Sequence, residues 1–299
     1  MTTPLTQDQL GQYFRQLKLP QKNSRKGESG KLLIIGGSDL FHAASRWSLE
    51  VASRLVDMVF YSSVPQNNQL IEQAKLNFWD GIVVERHQLE SYLNESDCVL
   101  IGPGMQRQEL DLELHQQPTN FYQNDTFSLS NEDWQGDTQK VVNYLLVNNP
   151  QKKWVIDAGA LQMVNPQLLT ESCIITPHHK EMEILQKNAS LNQSENNLEK
   201  PTILLKGEVD AIIHQQQQYF IEGGNAGMTK GGTGDVLAGL VAGLYTNNDL
   251  LPSTIIASHL NKKAGDDLYK KVGPFFNATD LANQVPHTLW EQLNRLVAK

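Results

Sequence analysis

The residues best suited to chemistry lie in a glycine-dense stretch, 223–245, which reads GGNAGMTKGGTGDVLAGLVAGLY. Gly231, Gly232 and Gly234 precede a single acidic residue, Asp235, at the point where an apolar segment begins. The first amides of a helix have no intrahelical acceptor and lie at the positive end of its dipole, so glycines there let phosphate oxygens approach the backbone. The spacing therefore predicts an anion-binding hole where a helix starts at about Gly234.

Asp235 lies at the mouth of this hole, and two interpretations of it are open. A carboxylate there could take the proton from a hydroxyl group that attacks a phosphoryl group. Alternatively, Asp235 is an ordinary first-turn aspartate that stabilises the helix dipole. The flanking GGN and GGTG sequences favour the base. Spacing excludes two common glycine motifs, since Leu237 stands where a Rossmann fingerprint needs its third glycine and no Walker G-K-[ST] is present.

The elements that must position these residues alternate between short apolar runs and helical patterns. After the glycines, the apolar residues of 236–245 recur at the spacing of a buried helix face. Runs typical of buried strands occur earlier, for example KLLII at 31–35 and MVFYS at 58–62, with a helical pattern at 43–56 between them. Strand, helix and strand in this order imply parallel crossovers.

The repeated alternation predicts a three-layer α/β/α sandwich with a mostly parallel central sheet. We expect one domain over residues 1–299, with a polar arm or short helix at 1–30 and a long excursion at 106–136. The excursion has no sustained period, and we assign it no role beyond that of a lid or an interface.

Several residues are predicted at the carboxyl edge of this sheet, where ligands of open parallel sheets bind. The turn Gly102–Gly104 follows one apolar run, His178 follows another, and Lys206 follows a third. Each of them alone could be structural: a plain loop, a lone histidine or an edge charge. We nevertheless expect them to converge with Asp235 on one cleft, because each follows a parallel strand or opens the helix beside one.

The composition excludes several classes of function. The chain has 299 residues, with 25 lysines and arginines against 33 aspartates and glutamates, and a formal net charge of -8. We therefore expect no nucleic-acid partner. Since neither an N-terminal signal pattern nor an apolar run of about 18 residues is present, we expect no membrane contact and a cytoplasmic location. Cys98 and Cys173 enter apolar runs without metal-ligand spacing, which predicts structural thiols.

Six motifs occur in an order that resembles a known family. They are KLLIIGGSDLFHAA at 31–44, VLIGPGM at 99–105, VIDAGAL at 155–161, IITPHHKE at 174–181, ILLKG at 203–207 and GGNAGMTKGGTGDVLAGLVAGL at 223–244. Together they resemble the NAD(P)H-hydrate dehydratases of the ribokinase-like superfamily, from about residue 31 to the closing helices. The TPH and GN-x-G-M…GGTGDVLAG elements are the most specific of the six.

The resemblance implies an enzyme that repairs hydrated NADH and NADPH. Members of the family use ADP or ATP to phosphorylate the ring hydroxyl and then lose phosphate to restore the double bond, with Mg²⁺ expected on the phosphates. Matched by motif, Asp235 is the base, and Ala44, Gly104 and His178 are the other substrate-side positions. The positions matched to the nucleotide side are Lys206, Gly207, Glu208, Val209, Asp210, Asn225, Gly231, Gly232, Thr233 and Gly234. No metal ligand is assigned.

The sequence departs from the family pattern in four places. Gly-Ala in the first loop reads Ala43–Ala44, GPGLG reads GPGMQ, TPHxGE reads TPHHKE, and a Thr or Ser after KGxx is Asp210. Asp210 is the largest change, since it adds negative charge beside the expected nucleotide.

Two other functions share the same chemistry. A sugar or vitamin-precursor kinase of the same superfamily would need the same hole and the same aspartate, and only the dehydratase-like motifs argue for elimination. A non-enzymatic nucleotide-binding protein is a third class, against which the retention of Asp235 argues. The sequence does not decide between ADP and ATP.

The resemblance also implies partners. We expect a stand-alone dehydratase that works with a separate NAD(P)H-hydrate epimerase, because the chain has no room for the epimerase domain that is often fused N-terminally in this family. We further expect a homo-oligomer, with the excursion's Phe121, Tyr122, Phe127 and Trp134 as contacts.

Overall fold

A computed structural model describes residues 3–78, 80–115, 136–191 and 194–296 of the protein. Within these residues the chain forms a nine-stranded sheet in the order β3-β2-β1-β4-β5-β6-β7-β8-β9. The first seven strands pair in parallel, while β7, β8 and β9 form an antiparallel edge. The strands are β1 Lys31–Ile35, β2 Met58–Ser62, β3 Ile82–Val83, β4 Cys98–Ile101, β5 Lys153–Ile156, β6 Cys173–Ile175, β7 Thr202–Leu205, β8 Asp210–His214 and β9 Gln217–Ile221.

Helices cover both faces of the sheet. They are α1 Gln7–Phe14, α2 Ala43–Ala52, α3 Pro65–Ala74, α4 Leu89–Glu95, α5 Leu112–His115, α6 Thr138–Asn148, α7 Ala158–Met163, α8 His179–Leu191, α9 Thr233–Asn247, α10 Leu250–Val272 and α11 Ala278–Leu296. Alternating side chains of β1 enter two separate cores: Leu32 and Ile34 pack with α2, α9 and α10, and Leu33 and Ile35 pack with α4, α6 and α7. The predicted three-layer α/β/α sandwich is therefore correct.

Helix α9 is the best buried of the helices that carry site residues, and both of its ends are fixed. At its first turn the Ser48 hydroxyl on α2 donates to the Asp235 carbonyl oxygen over 2.8 Å. At its last turn the Lys153 ammonium donates to the carbonyl oxygens of Tyr245, Thr246 and Asn248, over 2.9, 3.3 and 3.1 Å. A cation at a helix C-terminus satisfies carbonyls that have no intrahelical donor. Asp235 is therefore carried on a rigid element.

The predicted elements agree with the structure most closely where apolar runs are short and bounded. The strands at 31–35 and 58–62 are found at those residues, and the site helix begins at Thr233, one residue before the predicted start. Helix α2 ends at Ala52 rather than at residue 56, because the chain turns there towards the start of β2. Helices α4 and α6 were not predicted.

The N-terminal arm contains a short helix that belongs to the core. Thr6 and Gln9 form a capping box at the start of α1, in which the Thr6 amide donates to Gln9 Oε1 over 2.9 Å. Leu10 and Phe14 of this helix are buried, and Phe14 packs edge-on against His259 of α10 at 6.0 Å between ring centroids. Residues 116–135 of the excursion, with Phe121, Tyr122, Phe127 and Trp134, lie outside the described residues, so their contacts stay a prediction.

Both cysteines are buried and free, as predicted for structural thiols. Burial raises the pKa of the Cys98 thiol to about 12, which leaves it unreactive at neutral pH. None of the helices in the described ranges is both long and apolar enough to cross a membrane.

Candidate active site

The glycine loop reaches α9 through a backbone conformation that only glycine adopts easily. Gly232 caps the helix at a φ of 95°, and a Cβ atom there would lie 2.4 Å from the Trp47 ring. The Thr233 hydroxyl donates to the Met228 and Lys230 carbonyl oxygens, over 2.7 and 3.0 Å. These contacts hold residues 228–232 against the first turn of α9, which is the geometry an anion hole requires.

A larger cavity of about 740 Å³ opens beside this turn, at the carboxyl edge of the sheet. It is lined by the four substrate-side residues predicted from the motifs, Ala44, Gly104, His178 and Asp235. Lys206 also lines it, so the expected convergence on one cleft is confirmed for these residues, although Gly102 is not part of the lining. His178 and Lys206 lie side by side in a parallel bridge, because β6 and β7 are neighbours.

A smaller cavity of about 500 Å³ lies on the other side of the same turn. Most of the residues predicted on the nucleotide side line it: Lys206, Gly207, Glu208, Asp210, Asn225, Thr233 and Gly234. Val209 does not, and it is 41% exposed. Gly231 and Gly232 line the larger cavity instead, because the left-handed turn at Gly232 carries the loop across to Trp47.

The two cavities share Lys206 and Gly234, and the Lys206 ammonium is held there by buried carboxylates. Lys206 Nζ donates to Asp157 Oδ1 over 2.9 Å and lies 3.8 Å from Glu181 Oε2. Asp157 is only 2% exposed, and its Oδ1 also accepts from the Thr176 hydroxyl over 2.7 Å. Burial alone would lower the pKa of Lys206, but the charges of Asp157 and Glu181 outweigh it and raise that pKa.

The same charges tune Asp235. Burial of its carboxyl raises its pKa from 3.8 to about 7, and the nearby negative charges of Asp157 and Glu181 add to the effect, while Lys206 opposes it. A general base is most effective when its pKa lies near the working pH. A pKa near 7 suits a general base, and the assignment of that role to Asp235 stays a prediction.

His178 is oriented by Glu181 on the first turn of α8. The Glu181 amide donates to His178 Nδ1 over 3.1 Å, and the His178 amide donates to Glu181 Oε2 over 2.9 Å. This arrangement is a capping box in which histidine replaces serine or threonine. Because Nδ1 accepts a hydrogen bond from the Glu181 amide, the neutral tautomer of His178 carries its proton on Nε2, which lies 3.6 Å from Glu181 Oε1.

Asp210 does not bring an uncompensated charge to the smaller cavity, contrary to the expectation from the sequence. Its carboxylate is 4% exposed, accepts from the Gly207 amide and the Ser258 hydroxyl over 3.0 and 2.7 Å, and lies 3.3 Å from the Lys262 ammonium. The negative charge is therefore neutralised inside the protein.

Sequence reasoning missed Asp157 and Glu181 as site residues. The motifs VIDAGAL and IITPHHKE contain Asp157 and Glu181, but the sequence assigns neither residue a role. The spacing from His178 to Glu181 is that of a capping box and could have identified the second carboxylate. Nothing local identified the first, because Asp157 reaches Lys206 across β6.

Mg²⁺ has no ready protein site in the part of the chain that the structure describes. No group of three or more His, Cys, Asp or Glu side chains is arranged there to hold a metal ion. Two carboxylates of the larger cavity, those of Asp157 and Glu181, already lie beside the Lys206 ammonium. Since Mg²⁺ is commonly held by one or two carboxylates together with substrate phosphates, the ion fits this site only as part of a bound nucleotide.

Residues 129–287 match the family model described as NAD(P)H-hydrate dehydratase. The chain is 30% identical over 285 residues to the ADP-dependent (S)-NAD(P)H-hydrate dehydratase of Nitrosopumilus maritimus, which covers 89% of this chain and 90% of that protein. It is also 32% identical over 283 residues to the bifunctional NAD(P)H-hydrate repair enzyme Nnr of Methanocaldococcus jannaschii, covering 92% of this chain and 51% of that protein. The chain thus spans about half the length of the bifunctional relatives.

Two experimental structures have the same fold. A ribokinase-like superfamily protein from Enterococcus faecalis superposes with a TM-score of 0.75 at 22% identity, covering 97% of this chain and 96% of that one. The ADP/ATP-dependent NAD(P)H-hydrate dehydratase of Bacillus subtilis, co-crystallised with ATP and Mg²⁺, gives a TM-score of 0.69 at 20% identity, covering 98% and 99%. The predicted ribokinase-like fold is confirmed.

Proposed function

This chain belongs to the NAD(P)H-hydrate dehydratase family, and from this premise we propose that it dehydrates the S form of hydrated NADH and NADPH, driven by ADP or ATP. The larger cavity takes the hydrated dihydronicotinamide, and the smaller cavity takes the nucleotide. The relatives' names support both substrates, since one is called ADP-dependent and another ADP/ATP-dependent.

One observation carries the proposal. The candidate base Asp235 lines the larger cavity, and the residue that precedes it in the chain, Gly234, lines both cavities. A hydroxyl group placed beside Asp235 is therefore next to the place where a terminal phosphate of the nucleotide would lie, over the first amides of α9. A protein that only bound nucleotide in the smaller cavity would not need a base of raised pKa in the larger cavity.

The proposed reaction has two steps. In the first, Asp235 takes the proton from the ring hydroxyl, whose oxygen forms a bond to the terminal phosphorus while the bond from that phosphorus to the departing AMP or ADP breaks. In the second, the carbon–oxygen bond breaks, phosphate leaves with the electron pair, and the neighbouring ring carbon gives up a proton to water as the double bond forms. Phosphorylation makes the hydroxyl a good leaving group.

Lys206 is the cation that this reaction needs at the shared wall. Its ammonium is held by Asp157 and faces both cavities, so it can neutralise charge on the phosphoryl group as it passes from one cavity to the other. A bound nucleotide would carry Mg²⁺ on its phosphates, and the co-crystallisation of a relative with ATP and Mg²⁺ supports this ion as the cofactor.

The bifunctional relatives support a partner for this enzyme. Those proteins are named as repair enzymes with two functions and are about twice as long as the matched region, so we propose that an NAD(P)H-hydrate epimerase supplies the S form here. Free, buried thiols are typical of reducing compartments, which supports the cytoplasm as the location. A homo-oligomer completes the proposal.

The test is repair of hydrated NADH and hydrated NADPH by the purified protein with Mg²⁺ and either ADP or ATP. We expect the absorbance of dihydronicotinamide to return and one AMP or ADP to form per turnover. Without added nucleotide, neither change should occur. Accumulation of a stable phosphorylated product would instead show a kinase. If neither hydrated substrate shows any nucleotide-dependent change, the proposal is contradicted.

A further inference from the structure

Three polar residues on one face of α10 contact residues that line the smaller cavity. Ser258, Lys262 and Asp266 are spaced four residues apart, so they lie on the same side of the helix. Ser258 contacts Asp210 at the start of β8, while Lys262 and Asp266 contact loops that line the cavity. We call these three residues the α10 clamp.

Lys262 joins two loops that line the smaller cavity. Its ammonium donates to the carbonyl oxygens of Gly207 and Glu208, over 2.9 and 3.0 Å, and to that of Gly223, over 3.3 Å. The first two residues belong to the turn between β7 and β8, and Gly223 belongs to the loop after β9. Lys262 is 7% exposed, so these contacts and Asp210 account for its charge.

Asp266 holds the second loop one helical turn further along. Its carboxylate accepts from the Gly224 amide over 3.2 Å and from the Asn225 side-chain amide over 3.0 Å. Gly224 has a φ of 82°, which a side chain would strain, and this conformation brings the loop onto α10. Asn225 is therefore held by Asp266 while it lines the cavity.

Ser258 completes the clamp through Asp210, which stands where the family has a Thr or Ser. The Ser258 side chain is fully buried, and its hydroxyl donates to Asp210 Oδ2, while Asp210 Oδ1 accepts from the Gly207 amide. Asp210 and Lys262 therefore hold the turn between β7 and β8 together, and both carboxylate oxygens of Asp210 have hydrogen-bond partners.

We infer that the α10 clamp and Asp210 are positioning residues for the nucleotide: they fix the spacing of the two loops between which the adenine nucleotide binds. This inference rests on the proposed function and adds the part of the chain that sets nucleotide affinity. The clamp does not touch the larger cavity, whose lining contains none of its residues. Its loss should weaken nucleotide binding and leave the base and its pH dependence unchanged.

The test uses two variants that remove the clamp in different ways. The double variant Asp210→Asn with Lys262→Met removes both buried charges together, because removing one alone would leave the other unpaired. Asp266→Ala releases only Gly224 and Asn225. ADP affinity is measured by calorimetry, and KM for ADP, KM for hydrated NADPH and the pH profile of kcat are measured on the same preparations.

A matched control is available in Lys153→Met. Lys153 also donates to three backbone carbonyl oxygens, but at the opposite end of α9, away from both cavities. We expect both clamp variants to bind ADP about tenfold or more weakly, because binding then has to order loops that are already ordered in the wild type. KM for hydrated NADPH and the pH profile should not change. The control should lose stability and keep its ADP affinity.

Two results would overturn the inference: clamp variants that bind ADP like the wild type, or a Lys153→Met variant that loses as much affinity as they do. If the double variant does not fold, Asp266→Ala decides, since it leaves the buried ion pair in place. Wild-type protein that binds no nucleotide would overturn the proposed function itself and this inference with it. Wild-type binding with unaffected clamp variants would overturn the inference alone.

Discussion

The two cavities lie on either side of one helix turn and differ in how they use charge. In the larger cavity the carboxylates of Asp157, Glu181 and Asp235 lie near the Lys206 ammonium, and burial together with the charges of Asp157 and Glu181 raises the pKa of Asp235 to about 7. In the smaller cavity Asp210 and Lys262 neutralise each other, and much of the lining is loop backbone. The first arrangement suits proton and phosphoryl transfer, and the second suits binding. Substitutions should therefore change rates in one cavity and affinities in the other.

The strongest test of this difference is Asp235→Asn. We expect turnover to fall by about 10²–10⁴-fold, because the base is lost, while ADP and ATP still bind through the loop amides and the helix dipole. The measurement is nucleotide affinity beside the rate of dihydronicotinamide recovery, at the same Mg²⁺ concentration. A variant that repairs hydrated NADH within a few-fold of the wild type would show that Asp235 only stabilises the helix.

A smaller effect is expected for Asp157→Asn, which removes the partner of Lys206 and a negative charge facing Asp235. We expect kcat to fall by about 10–10²-fold, because the Lys206 ammonium loses its position.

For the wild type, kcat/KM should rise with pH through about 7 and then level off, since the base must be deprotonated. In the variant this rise should move to lower pH, because one of the charges that raises the pKa of Asp235 is gone.

The control for this prediction is Asp97→Asn at the opposite edge of the sheet. Asp97 also accepts a hydrogen bond from a buried element, over 2.8 Å from the Lys31 amide, but it faces neither cavity. It should leave the pH profile where it is in the wild type. An unmoved profile in Asp157→Asn would contradict the charge network and reduce Asp157 to a structural residue.

The smallest effect is one on stability. Because the pKa of Asp235 is 3.8 ordinarily and about 7 in the folded protein, folding favours the protonated form. Its contribution to stability is thus present at low pH and is lost as pH rises through about 7. Asp235→Asn has no such loss, so its Tm should exceed that of the wild type by roughly 2–5 °C at pH about 8 and by little at pH about 4. Equal Tm values for the variant and the wild type at both pH values would show that the pKa of Asp235 is not raised in the folded protein.

Much of the fold could be predicted because the buried strands are short apolar runs with clear ends. KLLII at 31–35 and MVFYS at 58–62 show this best. Helix α6 was missed although Asp137 caps it and VVNYLLV has a helical spacing, because it directly follows the polar excursion. Helix α1 was readable from the Thr6–Gln9 capping box, but its place in the core depends on packing against α10.

Only those site residues that belong to a local sequence motif could be predicted. The glycine loop, Asp235 and His178 are each marked by their neighbours in the chain. The pairing of Asp157 with Lys206 is not, since these residues are 49 positions apart and meet only because β5 and β7 flank β6. The same holds for Asp210, whose charge looked unfavourable until Lys262, 52 positions later, was placed beside it.

The shared wall between the two cavities consists of one lysine side chain and one glycine backbone, so the pockets have almost no residues in common. Loops after β1 and β4 shape one of them, and the β7–β8 turn, the loop after β9 and α10 shape the other. Under the proposed function, mutations that adapt the larger cavity to a different alcohol can therefore accumulate in the first set without changing the nucleotide site. A fold divided in this way can exchange its acceptor substrate during evolution while it keeps its energy source.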